Sequence, residues 1–137
     1  MKPRVVLIID DDNDDRDFLK EAISEYDPST IFQECKNGVE AVGLLSNITR
    51  EEVPDFIFLD LNMPLMNGRQ CLRHIRKMDQ LADTPVIIYT TSLQPDPTIA
   101  PGGAGSVHFL TKPSRLAELR TSVRNILDHN WQKIVQL

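Results

Sequence analysis

The sequence predicts an α/β fold, a doubly wound parallel sheet of five strands with helices on both faces. Short apolar runs alternate five times with amphipathic stretches of helical period. Three of those runs also deliver a charged residue at their C-terminal end, the edge at which open parallel sheets build ligand sites. Strands are expected near residues 4–9, 30–35, 55–59, 85–90 and 107–111. Right-handed crossovers through the intervening helices join them.

The first run, Val5-Val6-Leu7-Ile8-Ile9, is too short for a helix and apolar on both faces, as a buried parallel strand is. It ends in Asp10-Asp11. Asp12 or Asn13 then caps a helix whose inner face carries Phe18, Leu19, Ala22, Ile23 and Tyr26, while Asp14 and Asp15 suit its positive end. After the second strand, Gly38 marks entry into a helix with Val39, Val42, Leu45 and Ile48 turned inward. Phe56-Ile57-Phe58-Leu59 forms the third strand and presents Asp60. Gly68 then opens a helix bearing Leu72, Ile75 and Met78.

The fourth strand, Val86-Ile87-Ile88-Tyr89-Thr90, ends in a hydroxyl. A helix is due next, yet residues 95–105 contain three prolines and three glycines. Proline costs about 3 kcal/mol inside a helix and glycine about 1, so the fourth helix is expected to be short or irregular, and the segment mobile. Val107-His108-Phe109-Leu110-Thr111 gives the fifth strand, followed by Lys112-Pro113. The last helix carries Leu116, Leu119, Val123, Ile126 and Leu127. Its pattern runs on to Ile134 and Leu137, as a frayed tail or as an added partner or dimer contact.

At 137 residues the chain is expected to be one domain, 1–137, with no attached output domain. The net charge of −5 argues against a protein built around nucleic-acid binding. No run approaches the roughly 18 apolar residues of a transmembrane helix, and the start is too short for a signal-peptide core, so the cytosol is the expected compartment. Cys35 and Cys71 lack metal-ligand spacing and read as reduced, packed thiols. The three histidines are scattered and form no ligand set.

The chemistry gathers where the strands end. Two carboxylates about 4 Å apart repel by about 4 kcal/mol at an effective dielectric near 20. Asp10, Asp11 and Asp60 together therefore call for a compensating cation. An all-oxygen set suits Mg²⁺ or Mn²⁺, hard ions that accept a substrate phosphate. A carboxylate beside such an ion can attack phosphorus, Thr90 adds a hydroxyl, and Lys112 adds a point charge for a phosphoryl oxygen. Asp12, Asp14, Asp15 and Asp17 read as a solvated, acid-rich helix start.

The motifs Ile9-Asp10-Asp11, Asp60-Leu61-Asn62-Met63-Pro64-Leu65-Met66-Asn67-Gly68, Pro85 to Thr90, and Phe109-Leu110-Thr111-Lys112-Pro113 resemble those of a response-regulator receiver domain over nearly the whole chain. That resemblance to the CheY-like phosphoacceptor module of two-component signalling implies a flavodoxin-like strand order, 2-1-3-4-5. It implies that Asp60 is phosphorylated by a histidine kinase or a histidine phosphotransfer protein. Asp11, Asp60 and the backbone carbonyl of Asn62 would ligate Mg²⁺, with Asp10 assisting through water. Thr90 and Lys112 would hold the phosphoryl group, Phe109 would be the switch aromatic, and the Lys112–Pro113 bond would be cis. The domain would be a phosphoacceptor rather than an enzyme, catalysing only its own phosphorylation and dephosphorylation. It would signal in trans to a separate protein, with no nucleic acid or membrane as direct partner.

The chain departs from the family pattern at Thr91, where alanine is usual, and in the Pro- and Gly-rich 95–105 segment. By the same resemblance, Asn62 and Ser92 would form the rim pair that tunes dephosphorylation. A haloacid-dehalogenase-like phosphatase is the alternative enzyme reading, with Asp10-Asp11-Asp12 as its acidic motif. It would put the nucleophile on the first strand and leave Asp60 without a role. A receiver-shaped interaction module that is never phosphorylated is a third class, and the complete acid, threonine and lysine set argues against it.

Overall fold

The structure is a computed structural model and describes residues 2–91 and 107–128. The elements are β1 (Val5–Ile9), α1 (Asn13–Tyr26), β2 (Ile31–Cys35), α2 (Gly38–Ser46), β3 (Phe56–Leu59), α3 (Gly68–Arg76), a 3₁₀ turn (Asp79–Leu81), β4 (Val86–Thr90), β5 (Val107–Thr111) and α4 (Leu116–Asp128). The five strands are parallel in the order β2-β1-β3-β4-β5, as expected. Residues 95–105, Ser92 and the tail with Ile134 and Leu137 lie outside the described residues.

Strand alternation divides the apolar residues between two cores. Leu7, Ile9, Ile57, Leu59, Val86 and Ile88 face α2 and α3, meeting Ala41, Leu45, Cys71 and Ile75. Val6, Ile8, Phe58, Ile87 and Tyr89 face α1 and α4, meeting Leu19, Ala22, Ile23, Leu119 and Val123. Both cysteines are free and buried.

One helical face differs from the expected one. Val39 is 53% exposed, and Ala41 takes its place in the core beside Leu45. At 100° per residue, Val39 lies about 200° around the helix from Ala41, and a strict three-residue spacing drifts off the buried stripe.

Capping sets the direction of α1. The Asp12 carboxylate accepts from the backbone N–H groups of Asp14 at 2.9 Å and Asp15 at 3.1 Å. Arg16, buried in the first turn, donates to the carbonyl of Asp10 at 2.6 Å and to Glu34 at 3.1 Å, which ties β1, α1 and β2 together. A capping box between Asn67 and Gln70 starts α3.

Gly68 allows that helix to begin directly under Asp60. A Cβ at 68 would stand 2.3 Å from the Asp60 carbonyl oxygen and 2.6 Å from Leu61 Cα, both backbone atoms that cannot swing aside. Gly43, on the exposed side of α2, has open space around it. Gly68→Ala should therefore cost about 1–3 kcal/mol through overpacking, whereas Gly43→Ala should gain about 0.5–1 kcal/mol from helix propensity. Urea denaturation of the two variants beside the parent checks both signs. Equal midpoints for the two would show that the contact at 68 is not tight.

Candidate functional site

The three strand-end charges converge because the sheet's hydrogen-bond ladder runs one residue past each strand. Asp10 N–H donates to the carbonyl of Cys35 at 3.0 Å, Asp60 N–H to Ile9 at 2.9 Å, and Lys112 N–H to Thr90 at 2.8 Å. Their backbones are thus fixed to neighbouring strands although each stands in a turn. Asp10 and Asp60 are buried, and Asp11, the next residue of the turn, is exposed. Carboxylate oxygens of Asp10, Asp11 and Asp60 all lie within 4.8 Å of one another.

Lys112 holds this cluster together. Its Nζ donates to Asp10 Oδ2 at 2.7 Å and to Asp15 Oδ2 at 2.8 Å, and stands 3.7 Å from Asp60 Oδ2. The last contact is ionic rather than a hydrogen bond. The ammonium also sits 5.3 Å from the ring centroid of Tyr89, a cation–π contact that covers its inner side. The second oxygen of Asp10 accepts from Asp12 N–H at 2.9 Å, and Asp60 Oδ1 is 3.4 Å from Asn62 N–H.

Burial is the leading influence on these groups. It pushes the Asp60 carboxyl up to about 6, Lys112 pulls it back, and the charges of Asp10 and Asp11 push it further up. Asp10 is also raised by burial, against the opposing hydrogen bonds from Lys112 and Asp12. For Lys112, burial would lower the value, but the hydrogen bonds to Asp10 and Asp15 outweigh it and hold the ammonium protonated. Burial likewise raises the Tyr89 phenol, leaving it neutral. The site is a carboxylate-rich pocket with one fixed ammonium.

Thr90 is buried at the end of β4, one strand from Asp60, and Thr91 after it is exposed. Asn62 is exposed in the turn that follows Asp60. Phe109 lies opposite Ile88 in the β4–β5 register with 43% of its surface exposed. The expected cis bond before Pro113 is not present: no cis peptide occurs among the described residues. Proline lowers the preference for trans to about 0.5–1 kcal/mol without reversing it, and Lys112 reaches its three carboxylates from the trans form.

Asp15 is the site residue that the sequence reading missed, since it was grouped with the solvated acids. The signal was present in the helix period. Ile23, Leu19 and Asp15 follow one another at four-residue steps, so the buried stripe of α1 runs back through Asp15 to the sheet edge. Arg16 and Tyr89 were likewise unassigned, and their charge and ring support the turn and the lysine.

Comparison with known proteins agrees with this geometry. Residues 6–124 match the response regulator receiver domain. The response regulator Rcp1 of Synechocystis sp. is 31% identical over 141 residues, covering 98% of this chain and 93% of Rcp1. The transcriptional regulatory protein PrrA of Mycobacterium leprae is 37% identical over 127 residues. That match covers 91% of this chain but only 50% of PrrA, so the chain spans half the length of that relative. The crystal structure of the Mn²⁺-bound form of Rcp1 superposes with a TM-score of 0.72 at 28% identity, covering 90% of this chain and 91% of the other. Nothing in these likenesses favours a haloacid-dehalogenase-like phosphatase. With residues 6–124 matching that family and the sheet order β2-β1-β3-β4-β5 expected of it, the chain belongs to the response regulator receiver domain family of two-component signalling.

Proposed function

We propose that Asp60 is the phosphoacceptor, charged by a histidine kinase or a histidine phosphotransfer protein with Mg²⁺ as the accompanying cation. The observation that carries this reading is the buried Asp60 carboxylate, clustered with Asp10 and Asp11 and 3.7 Å from the Lys112 ammonium. Asp11, Asp60 and the Asn62 carbonyl would hold the cation, with Asp10 acting through water. Its chemical contribution is neutralisation, which lets a phosphoryl dianion approach a floor of carboxylates. The all-oxygen donor set suits a hard divalent ion, and the Mn²⁺-bound form of Rcp1 supports one here.

The remaining chemistry belongs to the chain's own residues. An Asp60 oxygen attacks the phosphorus of a phosphohistidine, forming a P–O bond as the P–N bond breaks. The bonding pair leaves with the imidazole nitrogen, which takes up a proton. Lys112 meets the new charge on the phosphoryl oxygens, and Thr90, one strand away, offers its hydroxyl. Phe109, half-exposed in the middle of β5, is the aromatic that would turn inward when Thr90 shifts. The domain acts as a phosphoacceptor and not as an enzyme on other substrates. It passes its message to a separate cytoplasmic protein by surface contact, a reading supported by the likeness to Rcp1 over 93% of that protein. No helix among the described residues is long and apolar enough to cross a membrane.

Acetyl phosphate with Mg²⁺ should label the protein once, and intact-mass spectrometry should find no label on Asp60→Asn or in the presence of EDTA. Label that persists in either case would remove Asp60, or the cation, from the reaction.

The raised Asp60 carboxyl also gives a stability profile. Its value rises from 3.8 to about 6 on folding, so the folded state binds this proton more tightly than the unfolded chain does. Stability from this group is therefore complete below about pH 4 and is lost as pH rises through about 6, with Asp10 acting in the same direction. The loss is on the order of 1–3 kcal/mol. Thermal melts in EDTA between pH 4 and 7 should show the parent losing stability relative to Asp60→Asn, and Mg²⁺ should shrink that difference. A difference that is flat with pH, or rises, would contradict a buried and repelled carboxylate.

A further inference from the structure

The outer surface of α2 and α3 carries a feature that phosphoryl chemistry does not use. A notch of about 410 Å³ opens between the two helices, lined by Val39, Leu65, Met66, Arg73, His74 and Lys77 among others. Among the described residues lining it there is no carboxylate, although the chain as a whole carries a net charge of −5. Arg73 and His74 stand in the last turn of α3 and Lys77 is its C-cap, where the helix dipole favours positive charge. The dipole accounts for their sign but not for the apolar rim beside them.

Leu65 is the odd residue of that rim. It is 80% exposed and has a φ of 67°, a left-handed conformation that branched apolar side chains rarely adopt. Asparagine or glycine would hold the same turn with less strain and no exposed hydrocarbon. Val39, across the notch, is 53% exposed. The isolated domain therefore bears a strained, wet leucine opposite a wet valine, bordered by cations. Such an arrangement gains stability only when another apolar group covers it.

We propose that this notch docks an acidic segment of a partner protein, which inserts one apolar side chain between Leu65 and Val39 and sets its carboxylates against Arg73, His74 and Lys77. An anionic bilayer fits less well, because the apolar rim is a narrow cleft rather than a face and the protein's overall charge is repelled. The same overall charge disfavours nucleic acid. This surface is independent of the phosphoacceptor assignment and would dock its segment whether or not Asp60 is the labelled residue.

The test uses the full chain, ¹⁵N-labelled, and a synthetic amphipathic helix carrying one leucine flanked by glutamates three and four residues to either side. Amide shifts should map to α3, the loop at 65–67 and the start of α2. Binding should weaken at least about tenfold in the double variant Arg73→Glu, Lys77→Glu, and with rising salt. Leu65→Ser should also weaken it, and thermal melts establish that each variant is folded. A helix with lysines in place of the glutamates should not bind. The proposal is overturned by shifts elsewhere on the protein, or by equal binding of the lysine peptide or of the charge-reversed variant. Tighter binding of phosphatidylserine vesicles or of a DNA duplex by the same residues would overturn it too, as would self-association of the chain through this face.

Discussion

The ammonium of Lys112 is the interaction on which the site depends. It touches carboxylates delivered by three different elements: Asp10 after β1, Asp15 in the first turn of α1, and Asp60 after β3. Each carboxylate alone would be costly to leave charged in a buried pocket, and burial does raise both Asp10 and Asp60. One lysine cannot neutralise all of them, and a fourth acid, Asp11, stands at the mouth. The surplus of negative charge is compatible with a divalent cation, and it arises from the same strand-end carboxylates that Lys112 only partly offsets.

That arrangement needs rigid backbones beneath it. The sheet supplies them by extending its hydrogen bonds one residue beyond three strands, so the turn residues that carry the charges are held like strand residues. Arg16 reinforces the β1 turn from below by donating to the Asp10 carbonyl, and its Nε and Nη2 groups also donate to Glu34 and Asn13. The pocket floor is therefore set by main-chain bonds and the pocket charge by side chains, and the two can be altered separately.

Most of this was legible in the sequence. Short apolar runs placed the strands to within about a residue. The central strands β1, β3 and β4 are buried and have no polar face to blur their ends, whereas the edge strands β2 and β5 are partly exposed and follow the same alternation with helices. Asp10, Asp11, Asp60 and Lys112 were legible for the same reason: they are the first charges after those runs. Asp15 was hidden by its neighbours, since four aspartates in six residues look like a solvated patch until the helical phase is set by the Asp12 cap. Val39 was misplaced because a three-residue spacing was read as a face. The isomer before Pro113 was beyond sequence reasoning, which establishes only that either form is accessible.

The loop between β3 and α3 joins two surfaces with opposite tolerance for substitution. At Gly68 any side chain would collide with the Asp60 backbone, so that position has one admissible residue. Three positions earlier, Leu65 is largely exposed and contributes nothing to the carboxylate cluster. A lineage could therefore exchange residue 65 freely while residue 68 stays locked. Paralogous copies could in this way diverge in the company they keep without relearning their chemistry, an economical route to insulated pathways within one genome.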